Sequence, residues 1–231
     1  MPKEKEISYT AGHRERLREK FTETRLVDTE LMELLLTYAF PRIDVKPIVK
    51  RLMAEFGDLH SVLAAPIEDL KRTLGIGPNA AILLKLVHEI MGRDYSATLR
   101  DAPIFHNVEI LHNYLKNKFA GKQIEEFHVL YLDGKHKLID EAVHAIGTIN
   151  EAQVYPREIL KRALNLNAAS VVLAHNHPSG DTTFSTPDIT MTEKIRDKLA
   201  LADIEFFDHF LVSGGILYSM KNLQVLNRSN E

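Results

Sequence analysis

Cysteine is absent from the 231 residues, which excludes a disulfide framework, a thiolate nucleophile and every cysteine-ligated zinc or iron–sulfur site. The same absence fits a reducing compartment. Long apolar runs are missing as well. No stretch reaches the ~18 residues a membrane span needs, and the longest candidate, Leu31 to Phe40, is broken by Glu33. The opening Met-Pro-Lys-Glu-Lys-Glu has no apolar segment behind it, so no signal peptide is expected. The chain reads as soluble and cytoplasmic, with no membrane partner. A third absence is a basic excess. The 29 basic and 32 acidic residues leave a net charge of −3, with 16 against 15 through Arg100 and 13 against 17 beyond it. A protein that grips duplex by charge alone is not expected, so any nucleic-acid contact must come from a local site.

What is present is ordinary globular composition, 45% hydrophobic and 26% charged, which excludes disorder, collagen and coiled-coil arrays. The length suits one large or two modest domains, and such a chain can bury something like 70% of its unfolded surface without covalent staples. The first ninety-odd residues read as helices. Gly12 to Lys20 is helix-prone, with Leu17 and Phe21 four apart on one face. Asp28 or Thr29 can cap a core helix through Leu31, Leu34, Leu35 and Tyr38, stopped by Pro41. Ile48, Leu52 and Phe56 recur four apart and end at Gly57. A short helix from Pro66 to Leu70 runs into Leu74-Gly75-Ile76-Gly77-Pro78. Ala80, Leu83, Leu84, Val87 and Ile90 then face inward on another helix, closed by Gly92.

The polar segment Arg93 to His106 marks a domain boundary, giving an all-helical domain over 1–100 and a second domain over 106–231. Helices and strands mix in the second. Val108 to Phe119 is helical. Phe127 to Leu132 is a strand that turns at Asp133-Gly134 into Lys137 to Ile139, and Val143 to Ile149 is a further strand. Tyr155-Pro156 opens a helix. Ala168 to Ala174 is a buried central strand, Pro187 to about Ala202 a helix, and Phe206 to Val212 and Ile216 to Met220 are strands. The fold class is α/β (α+β), a mixed sheet flanked by helices and preceded by a smaller all-α domain.

Chemistry concentrates in His175-Asn176-His177-Pro178-Ser179-Gly180 and Ser185-Thr186-Pro187-Asp188. Residues two apart on a strand share a face, so His175 and His177 can aim two imidazoles at one point while Asn176 points away. Asp188 enters in the first turn of the next helix. Two His and a carboxylate with an open position is how a catalytic zinc is held, and the water it takes loses most of its pKa. With eleven histidines, a His-x-His pair alone is roughly a coin toss. Requiring the serine and the aspartate at their spacings brings the chance expectation to about one in a thousand such chains. The same residues also suit plainer roles. Buried structural histidines are common, and Ser185 with Pro187 and Asp188 makes a good helix N-terminus. Metal and cap are compatible at Asp188 only if its carboxylate turns away from its own helix amides.

These residues carry a resemblance. His175-x-His177, seven residues, Ser185, two residues, Asp188 resembles the JAMM signature of JAB/MPN-domain zinc metalloproteases. Gly147-Thr148-Ile149-Asn150, Tyr155-Pro156-Arg157-Glu158, the stretch from Ala174 to Gly180 and Asp208-His209 are similar to the bacterial RadC family. So are Gly12 to Arg18 and Tyr38 to Arg42, so the likeness spans nearly the whole chain. One departure is Phe184, where the family usually has proline, and it is expected to loosen the loop presenting Ser185. The resemblance implies that His175, His177 and Asp188 ligate Zn²⁺ and that Ser185 donates to the oxyanion of a tetrahedral intermediate. It implies a general base at Glu125, with Glu126 as the fallback, since neighbours on a strand face opposite sides. Solvated charges ahead of a strand are the plain reading of both. Asp208 and His209 are candidates to orient the ligands, or an ordinary strand-edge pair.

Leu74-Gly75-Ile76-Gly77-Pro78 between two apolar helices looks like a helix-hairpin-helix turn. Gly75 and Gly77 permit amides to point at a phosphate, with Lys71, Arg72 and Lys85 close enough to assist. Such a hairpin contacts DNA backbone without reading sequence, and it is equally a helix-packing device. Three functional expectations follow: a zinc hydrolase of peptide, isopeptide or related amide bonds acting on a protein or peptide; a DNA-associated repair or recombination protein; or a scaffold that has lost turnover. Oligomeric state is left open.

Overall fold

The computed structural model describes residues 4–104, 108–147, 154–221 and 224–225. Contacts divide the chain into two compact units, Met1–Ile90 and Met91–Glu231.

The first unit is helical: α1 (Glu4–Glu23), α2 (Asp28–Ala39), α3 (Lys46–Phe56), α4 (Leu59–Ala64), α5 (Ile67–Arg72) and the start of α6 (Pro78–Asp101). Leu17, Leu26 and Leu34 pack together. Three readings change. The residue preceding α2 in extended conformation is Val27, whose N–H bonds the Glu30 carboxylate, so Asp28 lies inside the first turn rather than capping it. Leu31 and Tyr38 are exposed, and the buried positions of α2 are Met32, Leu34, Leu36 and Thr37. The helix α4 was not anticipated; Asp58 starts it, its carboxylate accepting from Ser61 N–H at 2.6 Å. Gly57 ends α3 at φ +94°, as a glycine terminator should.

The helix after the hairpin does not close at Gly92. It continues to Asp101, and Ile90 on it is exposed. Gly92 answers a packing need instead, because a Cβ there would sit 2.6 Å from Asn117 Oδ1. Position 106, where the second domain was expected to begin, lies outside the described residues.

The second unit follows with α7 (Val108–Phe119), β1 (Glu126–Leu132), β2 (Leu138–Ile146), α8 (Pro156–Asn165), β3 (Ser170–Asn176), α9 (Thr186–Ala200), β4 (Glu205–Ser213), β5 (Ile216–Ser219) and the two-residue β6 (Gln224–Val225). The two strand stretches expected after the Asp133-Gly134 turn are one strand, β2, paired antiparallel along β1 with irregular register. The end of the second, Thr148 and Ile149, lies outside the described residues, as does Asn150.

The sheet order is β2-β1-β3-β4-β5-β6, mixed, with β3 and β4 the parallel pair. All seven residues of β3 are buried, which accounts for its unbroken apolar run. Leu130, Leu132, Val172, Ala174, Phe210 and Val212 share one cluster with Leu111, Tyr114 and Leu115 of α7. Phe127, Val129, Tyr131, Val171 and Leu173 share the other with Ile159 of α8 and Ile195 and Leu199 of α9. Sequence alternation thus separates two covered faces. Among the described residues, no helix is long and apolar enough to cross a membrane.

Candidate metal centre

The antiparallel register of β1 on β3 pairs Phe127 with His175, so Glu125, two residues before Phe127, comes opposite His177 where both strands run out. The helix α9 starts beside the same end of the sheet, with Asp188 in its first turn. These elements gather Glu125, His175, His177 and Asp188 into a group able to hold a metal ion, one ligand atom from each lying within 4.8 Å of all the others. The two Nε2 atoms are 3.0 Å apart. His175 Nε2 is 3.6 Å from Asp188 Oδ1, and His177 Nε2 is 4.0 Å from Glu125 Oε1.

Asp188 divides its two oxygens between the two roles weighed for it. Oδ2 accepts from Ser185 N–H at 2.7 Å and from the Ser185 hydroxyl at 2.6 Å, while Asp188 N–H donates back to Ser185 Oγ at 3.3 Å. Those bonds close the start of α9. Oδ1 is buried without a hydrogen-bond partner, 3.6 Å from His175 Nε2, and Oδ2 also lies 3.7 Å from His177 Nε2. An orphaned carboxylate oxygen at such a place costs free energy unless a cation or donor joins it. The metal-site reading supplies that cation. His177 is likewise prepared: its Nδ1 lies 3.0 Å from the Asp181 carbonyl, which can only accept, so Nε2 is left for the cluster.

The electrostatics agree. Burial works against charge on His177, but the Asp188 carboxylate, the Asp181 carbonyl and Glu125 outweigh it and raise its pKa. Burial would also raise Asp188, yet both imidazoles and Ser185 hold that carboxyl well below the usual range. Glu125 is pushed up by burial and by Asp188, against the pull of His177. The desolvated His175 is lowered. Two carboxylates gathered beside two imidazoles form a group that could hold a metal ion.

Glu126 faces elsewhere. Its carboxylate bonds His128 Nε2 at 2.9 Å and Lys122 Nζ at 2.8 Å, and His128 Nδ1 reaches Glu141 at 2.7 Å. That part-buried network, extended by Tyr114 and Lys118 onto Glu141, gave no sequence signal because its members come from α7, the segment after it, β1 and β2. Asn176 points away from the imidazoles and has a task there. Its Oδ1 accepts from Glu126 N–H at 2.8 Å and its Nδ2 donates to the Ile124 carbonyl at 3.2 Å, bracketing Glu125. Phe184 packs its ring 5.7 Å from that of His175 and 5.2 Å from that of His209, an apolar wall beside the site.

His209 and Asp208 part company. His209 is buried, with Nε2 2.8 Å from His175 Nδ1. Asp208 turns away from the cluster and ties β4 to the end of β5, accepting from Ser219 Oγ at 2.5 Å, His209 N–H at 2.7 Å and Lys221 N–H at 3.0 Å.

In the first unit, Gly75 has φ +100° and a Cβ on it would lie 3.1 Å from Ile48, whereas a Cβ on Gly77 would meet open space. Lys71 pairs with Glu68 and Arg72 with Asp69, each at i,i+3. Lys85 does not point outward with them; it donates to the Leu63 and Ala64 carbonyls at the end of α4.

Residues 105–225 match the RadC-like JAB domain family. The UPF0758 protein SPO0054 of Ruegeria pomeroyi is 39% identical over 217 residues, 93% of this chain and 97% of that protein. The UPF0758 protein FN0909 of Fusobacterium nucleatum subsp. nucleatum is 38% identical over 218 residues, 90% of this chain and 94% of that one.

Proposed function

The chain belongs to the RadC-like JAB domain family, and from that footing we propose that it is a zinc-dependent hydrolase of peptide, isopeptide or related amide bonds. The observation that carries the reading is the orphaned Asp188 Oδ1, 3.6 Å from His175 Nε2, which itself lies 3.0 Å from His177 Nε2. His175, His177 and Asp188 would hold the ion. Donors about 2.0–2.1 Å from a tetrahedral zinc stand about 3.3–3.4 Å apart; here the two Nε2 atoms are 3.0 Å apart and His175 Nε2 is 3.6 Å from Asp188 Oδ1. Nitrogen and oxygen donors without sulfur suit zinc. When bound, the ion supplies Lewis acidity that makes water a nucleophile near neutral pH.

The chain's own groups supply the rest. Glu125, half-buried and with its pKa raised, takes a proton from the attacking water and passes it to the departing amine. The Ser185 hydroxyl is exposed and donates to Asp188 Oδ2; by exchanging that bond for one to substrate it would turn its single proton toward the oxygen that gains charge. Phe184 offers an apolar wall to the group flanking the scissile bond.

Metal analysis of the purified protein should find about one zinc per chain, lost in His175→Ala. Glu125→Gln should keep the zinc and lose hydrolysis of the peptide or isopeptide under trial. Zinc-free wild type after incubation with excess ion would end the proposal.

A second reading, contact with a nucleic-acid backbone, draws on the open space at Gly77 and the first amides of α6, which have no partner inside the helix. Binding to duplex that falls steeply with salt and weakens in Gly77→Val supports it; salt-independent or absent binding removes it.

A further inference from the structure

We infer that Thr192 and His209 form a directional hydrogen-bond relay that fixes the tautomer of His175 and so presents its Nε2 to the metal. The inference rests on the metal reading above and adds two positioning residues to it.

The relay is read from its far end. Thr192 lies one turn beyond Asp188 on α9, and its hydroxyl is 2.6 Å from the Asp188 main-chain carbonyl. A carbonyl only accepts, so the single hydroxyl proton is committed there. Thr192 Oγ1 is also 2.6 Å from His209 Nδ1. With its proton spent, the oxygen accepts, and the proton of His209 sits on Nδ1. The other nitrogen of that ring, Nε2, is then bare. It lies 2.8 Å from His175 Nδ1, which must donate. The remaining nitrogen of His175, Nε2, keeps its lone pair and faces His177 Nε2 at 3.0 Å and Asp188 Oδ1 at 3.6 Å.

Both rings are fully buried, which favours one proton on each. A threonine bonding the carbonyl four residues back is a common habit of helices. The second partner, His209, is what turns the habit into a relay. The chain also closes on itself, since it starts at the backbone of one ligand and ends at the side chain of another. His177 achieves the same end directly through the Asp181 carbonyl, so the relay serves His175 alone. Phe184 packs at a tilt against both relay rings and helps keep water from supplying a competing partner.

The test is zinc affinity of the full chain, measured by competition with a chromophoric chelator near neutral pH. Losing the partner that orients a metal-bound histidine typically weakens binding about 10–100-fold. Thr192→Val and His209→Ala should each fall in that range, and Thr192→Ser should restore wild-type affinity. Wild-type affinity in both Thr192→Val and His209→Ala, with His175→Ala still abolishing binding, overturns the relay and leaves the metal site standing. A wild type that binds no zinc overturns both. Should the variants fold poorly, ring-nitrogen NMR of the zinc-free wild type decides. Protons on Nδ1 of both His175 and His209 support the relay, and a bare Nδ1 on either ring refutes it.

Discussion

At the scale of single residues, Asn176 shows how a polar side chain between two ligands can act on a third group. The β1–β3 ladder ends with the pair Phe127 and His175, and the amide of Asn176 continues it by side chain, holding the backbone on either side of Glu125. Asn176→Ala should therefore leave zinc bound, since no ligand atom is lost. It should lower stability by about 1–3 kcal/mol, because the Glu126 N–H and the Ile124 carbonyl lose their partner. Urea unfolding alongside zinc stoichiometry checks this. Lost zinc would mean that Asn176 supports the ligands themselves. Asp188 makes a related point: one carboxylate caps the start of α9 with one oxygen and turns the other toward His175.

Between elements, the glycines sort by what surrounds them. Gly75 lies on the turn between α5 and α6, at positive φ and against Ile48 of α3, and Arg51 of α3 donates to the Leu74 carbonyl at 2.9 Å. The turn is thus packed onto α3. Gly75→Ala should destabilise by about 1–3 kcal/mol, through backbone strain and the close contact. Gly77→Ala, with space for its methyl, should change stability by no more than about 0.5 kcal/mol. Thermal melts of the two variants measure the contrast, and equal losses would refute the distinction. This also separates the two readings of the hairpin, because a Gly77 variant with native stability can report on nucleic-acid binding alone.

For the whole molecule, a net charge of −3 makes general self-repulsion small at neutrality, so acid sensitivity should come from particular buried groups. His144 is held near pKa about 4 against an ordinary 6.5, first by burial and then by Arg162, and its Nε2 lies 2.8 Å from the Tyr131 hydroxyl. The unfolded chain takes up this proton first. The contribution is therefore full above pH 6.5 and drains away as pH falls to about 4. Glu141 is lowered from 4.5 to about 2: burial opposes this, and His128, Tyr114 and Lys118 prevail. Its contribution is lost later, as pH falls through that lower window. Wild type minus His144→Gln, followed by urea unfolding across pH, should show a difference on the order of 2–3 kcal/mol developing between those His144 limits. A flat difference would refute the assignment.

Several features were legible in the sequence because they depend on local periodicity or fixed spacing. Helix α7, the buried run of β3, the glycine end of α3 and the facing pair His175 and His177 all rest on the geometry of one segment. Where local signals misled, tertiary packing had used the same residue otherwise, as at Gly92, which admits Asn117 instead of ending a helix. The resemblance pointed to Glu125 over Glu126, but the physical reason that Glu125 lies with the imidazoles is the β1–β3 register, which no single segment encodes. Thr192 shares a helix face with Asp188 in the sequence, but its meaning needed His209, brought in by β4. Spacing along one chain sets which side chains share a face. Only the folded sheet decides which faces meet, because pairing energy is spent between segments far apart in sequence.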